Sequence, residues 1–182
     1  MNPKEYEVMA KIEEKFWWYE GLRGYLKSVF HIFRKEIQPC PKILDAGCGT
    51  GENLRFMRKY FGNGKFSGFD IHSTSLNYSK KKNPNIQIYQ CDIRNPSLKD
   101  SQYDIITILD VLYMTGIPET LEGLKKIVLK LKPGGLLIVH NPAFKWMYSE
   151  HDQAVHTIDR FSKQDMLNLS SELQLIPLKI TY

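Results

Sequence analysis

Apolar residues recur along this chain with two periods, and the period changes from segment to segment. Residues 3–16 are polar with a thin apolar stripe, Met9, Ile12 and Phe16, at the three-and-four spacing of one helix face. Leu22, Leu26, Val29, Phe33 and Ile37 repeat that spacing and predict a second, amphipathic helix over 22–37, ended by Pro39 and Pro41. Beyond Pro41, short apolar runs alternate with helical stretches. Strands are expected over 43–46, 65–70, 86–91, 103–109 and 136–140, with a last one over 173–181. Helices are expected over 53–61, 75–82, 118–131 and 162–171; Ser73 and Ser162 are placed to cap two of them. Residues 141–158 read as an irregular loop rich in aromatics. Ile105, Ile106 and Ile108 form the continuous apolar run of a central parallel strand. The alternation predicts an α/β fold: a doubly wound, mostly parallel sheet in three α/β/α layers, with ligands at the carboxyl ends of its strands. The chain reads as a single domain over 1–182, with N-terminal helices over 1–40 capping a core over 41–182.

Composition changes this picture little. The 182 residues suffice for one domain with a substantial core. The net charge is +5, and the densest basic run, Lys80 to Lys82, reads as a solvated helix end. With no arginine-rich segment interleaved with aromatics, a nucleic-acid partner has no support. No apolar run is long enough to cross a bilayer. The N-terminus has no signal-type apolar region and carries Glu5, Glu7, Glu13 and Glu14, so a cytoplasmic location is expected. Cys40, Cys48 and Cys91 are odd in number and far apart, which suits small buried hydrophobes and no disulfide framework.

The candidate chemistry centres on residues 42–53. Ile43 and Leu44 lead into Asp45 and Ala46, then Gly47, Gly49 and Gly51 stand at alternate positions before a helix. Glycines permit positive φ and let backbone N–H groups approach a ligand over the first strand. Dinucleotide enzymes also use such a turn, with the third glycine three places after the second. Here that place is Glu52, and the third glycine is Gly51.

Asp45-Ala46-Gly47-Cys48-Gly49-Thr50-Gly51 resembles the first motif of the class I S-adenosylmethionine-dependent methyltransferases. Four further stretches match in order: Asp70-Ile71 at the end of the second strand, Asp92-Ile93 after the third, Leu109 to Tyr113 after the fourth, and Lys132 to Gly135 before the fifth. The resemblance implies a Rossmann-like fold, S-adenosyl-L-methionine as cofactor, and methyl transfer by in-line displacement. It places Asp70 on the ribose hydroxyls, Asp92 on the adenine amino group, Ile93 against the ring, and Asp45 near the methionine end. Ala46, Gly47, Gly49, Gly51, Asn53, Ile71, Leu109, Asp110 and Tyr113 complete the implied cofactor contacts. Carboxylates at strand ends suit a vicinal diol, since they accept two hydrogen bonds.

The four adjacent aromatics Phe16, Trp17, Trp18 and Tyr19 cannot share one helix face, because consecutive residues stand roughly 100° apart on a helix of about 3.6 residues per turn. Trp17 to Arg23 resembles an N-terminal element of a subset of these methyltransferases. There the aromatic pair lies over the cofactor and the arginine faces the methionine carboxylate. Trp17, Tyr19 and Arg23 are thereby further cofactor candidates, Arg23 equally a solvated helix residue.

Ser149 to Ser162 resembles, in part, the stretch after the fifth strand in the same subset; Asp159 and Phe161 depart from it. The spacing of His151, Asp152 and His156 fits no common metal site, so no metal is expected. Should the acceptor need a base, the titratable candidates are Tyr113, His140, His151 and His156.

The acceptor itself is left open among small molecules, lipids, glycans and peptides. The family's sheet usually ends in a strand hairpin. This chain supplies only its first strand, which predicts an unpaired edge strand or a homodimer through it. Two other classes compete: an NAD(P)-dependent oxidoreductase, which Glu52 speaks against, and a non-catalytic relative binding a cofactor or partner in the same crevice.

Overall fold

The computed structural model describes residues 3–98 and 102–182, with the backbone alone for residues 3, 4 and 151. Helix α1 (Pro3–Ile12) and helix α2 (Trp17–Ile32) precede strand β1 (Lys42–Ala46). There follow α3 (Glu52–Phe61), β2 (Lys65–Asp70), α4 (Ser73–Lys82), β3 (Gln87–Gln90) and β4 (Tyr103–Leu109). Then come α5 (Leu112–Thr115), α6 (Ile117–Val128), β5 (Leu131–His140), α7 (Glu150–Ala154) and α8 (Lys163–Glu172). The five strands lie in the order β3-β2-β1-β4-β5, and every pairing is parallel.

Successive strand residues point to opposite faces, so two apolar faces need cover. On one face Leu22, Leu26 and Phe30 of α2, Leu54 and Met57 of α3 and Leu76 of α4 pack with Ile43 and Ile105. On the other, Leu112 of α5, Leu124 and Ile127 of α6 and Leu169 of α8 pack with Leu44, Ile106 and Ile108. These are the three layers the hydrophobic pattern implies, and α2 belongs to the same core as β1 and α3.

Four expectations are corrected. The second helix starts at Trp17, inside the aromatic quartet, and ends at Ile32. Helix α6 stops at Val128, and Leu131 opens β5, which runs through Pro133-Gly134-Gly135 with a register shift between Tyr103 and Ile105. The expected loop over 141–158 contains a 3₁₀ turn, Lys145–Met147, and α7. The last strand does not form: 175–182 has no regular structure, and Ile176 is 84% exposed. Pro177 lacks an N–H for a ladder. The tail instead returns over the start of α8, where Tyr182 stacks on Phe144 at 4.3 Å and accepts a hydrogen bond from Lys163 N at 3.0 Å. The described sheet therefore ends at β5, and the dimer expected through a later strand has no strand there to form it.

Helix α6 comes so close to the segment after β3 that a Cβ at Gly123 would overlap Ile93 O and crowd Arg94 C and O, 2.9 Å away. Gly123→Ala should therefore cost about 1–3 kcal/mol through overpacking. Gly24→Ala, in open space on α2, should stabilise by about 0.5–1 kcal/mol through helix propensity. Urea midpoints of the two variants against the parent check both signs.

Candidate active site

The turn after β1 is built from backbone bonds that only its glycines allow. Gly47 (φ 85) and Gly51 (φ 86) are left-handed, and a Cβ on either would overlap Val111 Cγ2 or Ser79 Oγ respectively. Gly47 N and Cys48 N both donate to Phe69 O at 2.8 Å, which ties the turn to the end of β2. One residue on, the Asp70 carboxylate accepts from Gly49 N at 2.9 Å on one oxygen. Its other oxygen accepts from His72 N at 2.9 Å and Ser75 Oγ at 3.1 Å, at the start of α4. Asp70 thus holds the turn and the first turn of α4 together.

Asp45 lies beneath the turn, buried and bonded by Thr107 Oγ1 at 2.7 Å. Burial pushes its carboxyl up to about 7, the Thr107 hydrogen bond pulls it down, and the Asp70 charge pushes it up. Ala46, Leu109 and Ile93 are buried core residues, whereas Ile71 is exposed beside the turn. Asn53, in the first turn of α3, has a buried Oδ1 without a hydrogen-bond partner. Asp92 follows β3, and Arg94 reaches back to it with Nε at 3.0 Å from each oxygen and Nη2 at 2.6 Å. The guanidinium hydrogen bond holds this carboxyl below its ordinary range.

Helix α1 lies over the turn. Its inward side is buried Tyr6 and half-buried Met9, continued just past its end by buried Glu13, not the stripe Met9, Ile12 and Phe16, and Ile12 and Phe16 are exposed. Tyr6 packs on His72 with ring centroids 5.4 Å apart, and Met9 Cε lies 3.7 Å from where a Gly49 Cβ would stand. Glu13 is 5% exposed; it accepts from Thr50 Oγ1 at 2.5 Å and pairs with Lys82. Lys82 also donates to Ala10 O at 3.2 Å. Sequence reasoning missed Glu13, although Tyr6, Met9 and Glu13 stand at three-and-four spacing. The charge at position 13 concealed the face.

Arg23 sits at the α1–α2 junction, where Nη1 donates to Glu13 O at 2.9 Å and Nη2 to Glu14 O at 2.8 Å. It satisfies carbonyls after the end of α1, which otherwise lack partners. Trp17 is 69% exposed, and Tyr19 is partly buried. Burial, then the charges of Glu13 and Asp110, push the Tyr19 hydroxyl up to about 12.

On the far side of the turn the ends of β4 and β5 meet. Asp110 N donates to His140 O at 2.9 Å, and His140 Nδ1 stands 2.8 Å from Asp110 Oδ1. Burial pulls the imidazole down, and the hydrogen bond and charge of Asp110 more than offset it, so the net shift is upward. Trp18 packs edge-on against His140 with centroids 6.1 Å apart. Tyr113 is buried next to the same carboxylate, and burial, followed by the Asp110 charge, raises its hydroxyl.

The loop after β5 is organised by a pair the sequence did not reveal. Buried Asp152 takes Arg160 Nε at 2.8 Å and Nη2 at 2.9 Å, while Arg160 Nη1 reaches Ala143 O at 2.9 Å. His156 is exposed on that loop in a left-handed conformation (φ 58), and the side chain of His151 lies outside the described residues. Of the four candidate bases, the structure brings His140 and Tyr113 together around Asp110.

A surface hollow of about 420 Å³ between Arg58, Gly64, Phe66 and Ile86 lies at the amino ends of β2 and β3, the opposite edge from the turn.

A family model described as a methyltransferase domain matches residues 43–135, just over half of the chain. A demethylmenaquinone methyltransferase of Staphylococcus epidermidis is 30% identical over 159 residues, which cover 78% of this chain and 64% of that protein. The chain thus spans under two thirds of that relative's length. Among solved structures, a TehB-like SAM-dependent methyltransferase from Corynebacterium glutamicum superposes with a TM-score of 0.66 at 17% identity, over 94% of this chain and 84% of that one. The amino pentose methyltransferase CalS10 from Micromonospora echinaspora gives a TM-score of 0.62 at 20% identity, over 82% and 60%. Both share the fold.

Two outcomes test this geometry. Between the unfolded pKa of an aspartate, about 3.9, and the folded value about 7, Asp45 binds more protons folded than unfolded. Its contribution to stability therefore falls as pH rises through that window. Asp45→Asn should remove this component, so the urea midpoint should decline less between pH 4 and 7 than in the parent. Glu13→Ala should free α1: amide exchange over residues 6–13 should quicken at least about tenfold while β1 amides keep their rates.

Proposed function

Because the chain belongs to the methyltransferase-domain family, the class I S-adenosylmethionine-dependent enzymes, we propose that it moves a methyl group from S-adenosylmethionine to a small-molecule acceptor at the carboxyl edge of its sheet. The observation that carries the reading is the turn itself. Gly47 and Gly51 leave no room for a Cβ, and the Asp70 carboxylate stands at Gly49 N. The unpartnered Asn53 Oδ1 at the start of α3 is a second polar atom in want of a ligand. These residues fit an adenosine-bearing sulfonium donor.

In this reading Asp70 Oδ2, which accepts one protein hydrogen bond, receives the ribose hydroxyls. Asp92 meets the adenine amino group, and exposed Ile71 covers the ring in place of Ile93, which is buried in the core. Gly47, Gly49, Gly51 and Asn53 frame the methionine end, with Asp45 supporting the turn from below. Tyr19, Asp110 and Tyr113 border the place where donor and acceptor meet. Arg23, bonded to two carbonyls, acts by fastening α1 above the turn.

S-adenosylmethionine, when bound, supplies a methyl group already activated by its sulfonium charge. The protein's own task is then to orient the acceptor and exclude water, and orientation alone can supply roughly 7–11 kcal/mol. The Tyr6–Met9–Glu13 face of α1 provides cover over the turn, and the aromatic residues from Phe16 to Tyr19 provide a wall at its side. The staphylococcal relative is named for demethylmenaquinone and the Micromonospora neighbour for an amino pentose. The choice of acceptor falls to the residues around His140.

Titration calorimetry tests the donor. S-adenosylmethionine and S-adenosylhomocysteine should bind, and NAD should not. Asp92→Ala should weaken S-adenosylhomocysteine about tenfold, which corresponds to about 1.4 kcal/mol. Binding of NAD in place of S-adenosylhomocysteine would reverse the reading.

A further inference from the structure

The hollow of about 420 Å³ at the amino ends of β2 and β3 lies at the far end of the sheet from the glycine turn. Small-molecule sites occupy about 300–1,000 Å³, so its size suits one. Two tight turns wall it. Gly62, after α3, has φ 64, and Asn85, before β3, has φ 72. Between them Gly64 packs so closely that a Cβ there would lie 2.8 Å from Phe66 Cζ and 2.9 Å from Pro41 O. Phe66 and Ile86, both half-buried, pack on the core beneath α2 and α3 and supply the apolar floor.

Arg58 and Lys65 bring two cations to this hollow, and no carboxylate among the described residues lines it. Arg58 is the telling group. Four arginines are half-buried: Arg23, Arg55, Arg58 and Arg160. The guanidinium of Arg23 bonds two carbonyls, that of Arg55 the Glu52 carboxylate, and that of Arg160 the Asp152 carboxylate. Arg58 has no side-chain hydrogen bond or ion pair among the described residues, and neither has Lys65. Nor does the end of α3 need the Arg58 side chain. Gly62 N donates to Arg58 O at 3.0 Å and Asn63 N to Phe61 O at 2.8 Å, while Lys59 meets the partial negative charge of the same helix end. The five N–H donors of Arg58 are thus left for a group that enters the hollow. A guanidinium binds phosphate or carboxylate through paired N–H groups. Two cations facing no anion match a dianion better than a monoanion. A phosphomonoester carries about −1.5 to −2 charges at pH 7, and a carboxylate about one.

We propose that this hollow is a second ligand site, for a phosphomonoester carried on a planar apolar ring. Arg58 and Lys65 hold the phosphate, and the ring lies on Phe66 and Ile86. The side-chain amides of Asn85 and Gln87, which also line the hollow, can donate or accept at its rim. The site goes beyond the methyltransferase reading and does not rest on it, because none of its residues stands at the carboxyl edge of the sheet.

The experiment titrates the full chain with phenyl phosphate, inorganic phosphate, benzoate and phenol above pH 7, and reads amide NMR shifts for place and affinity. Phenyl phosphate should shift the amides of Gly62, Gly64 and Asn85 saturably and leave those of Gly47, Gly49 and Gly51 unmoved. Inorganic phosphate, without the ring, and benzoate, with one charge, should each bind at least about fivefold more weakly, and phenol should not bind. Arg58→Gln should weaken phenyl phosphate at least about tenfold, and Arg58→Lys less, since it keeps the charge and loses the fork. Lys65→Gln, on an exposed residue, should weaken it about three- to tenfold with the urea midpoint kept. Lys59→Gln, on the same helix end but outside the hollow, should leave the affinity unchanged and so separates the site from general attraction to a basic surface. No saturable shift around the hollow, shifts at the glycine turn instead, benzoate binding as tightly as phenyl phosphate, or equal losses in Arg58→Gln and Lys59→Gln would each overturn the proposal. The donor reading, tested by S-adenosylhomocysteine binding, stands or falls separately.

Discussion

The Asp70 carboxylate is the interaction on which the crevice depends. It stands where β2 ends and receives Gly49 N, His72 N and Ser75 Oγ. Three segments meet there: the turn after β1, the end of β2 and the start of α4. A carboxylate can do this because it accepts on both oxygens, and the N-terminal end of α4 favours a negative group beside it. Phe69 O, the neighbouring backbone acceptor, fixes Gly47 N and Cys48 N from the same strand end. The glycine turn is thus held from β2 as well as by its internal bond from Gly51 N to Cys48 O at 2.9 Å. The residues proposed to meet the donor inherit their places from that junction.

The two halves of the crevice are made differently. The half proposed to take the donor is local in sequence, each proposed contact lying at the end of one strand or in the turn that follows. The half proposed to take the acceptor is assembled across the sheet. Asp110 and His140 are thirty positions apart and meet because β4 and β5 run in parallel with Leu109 beside His140. Trp18 arrives from a third direction, on the first turn of α2. A change in the register of β5 would separate the pair while leaving the glycine turn intact.

This division explains what the sequence disclosed. The five strands, the glycine turn and the positions of the acids at the end of β2 and after β3 were legible, because each is a short apolar run with its polar residues attached. His140 was legible as a candidate, but its pairing with Asp110 needs a strand register that no local pattern carries. The Asp152–Arg160 pair was hidden for the same reason. The face of α1 was misphased because the contact that continues it is Glu13, just past the helix end, a charge buried by partners from α4 and the glycine turn. The expected last strand failed on a different ground. An alternating run forms a strand only with a partner, and here Tyr182 finds Phe144 while Pro177 interrupts the ladder.

Met9 and Glu13 lie on the turn proposed to receive the donor. With the donor seated as proposed, the α1 segment would share the glycines of that turn with it. A covalently tethered segment competes at an effective concentration that can reach the millimolar range. An affinity measured at this turn would then be a net quantity, the intrinsic grip on the ligand weighted by the placement of α1. Substitutions on α1 remote from every ligand atom would then register as changes in ligand affinity, through the occupancy of the turn rather than through contact.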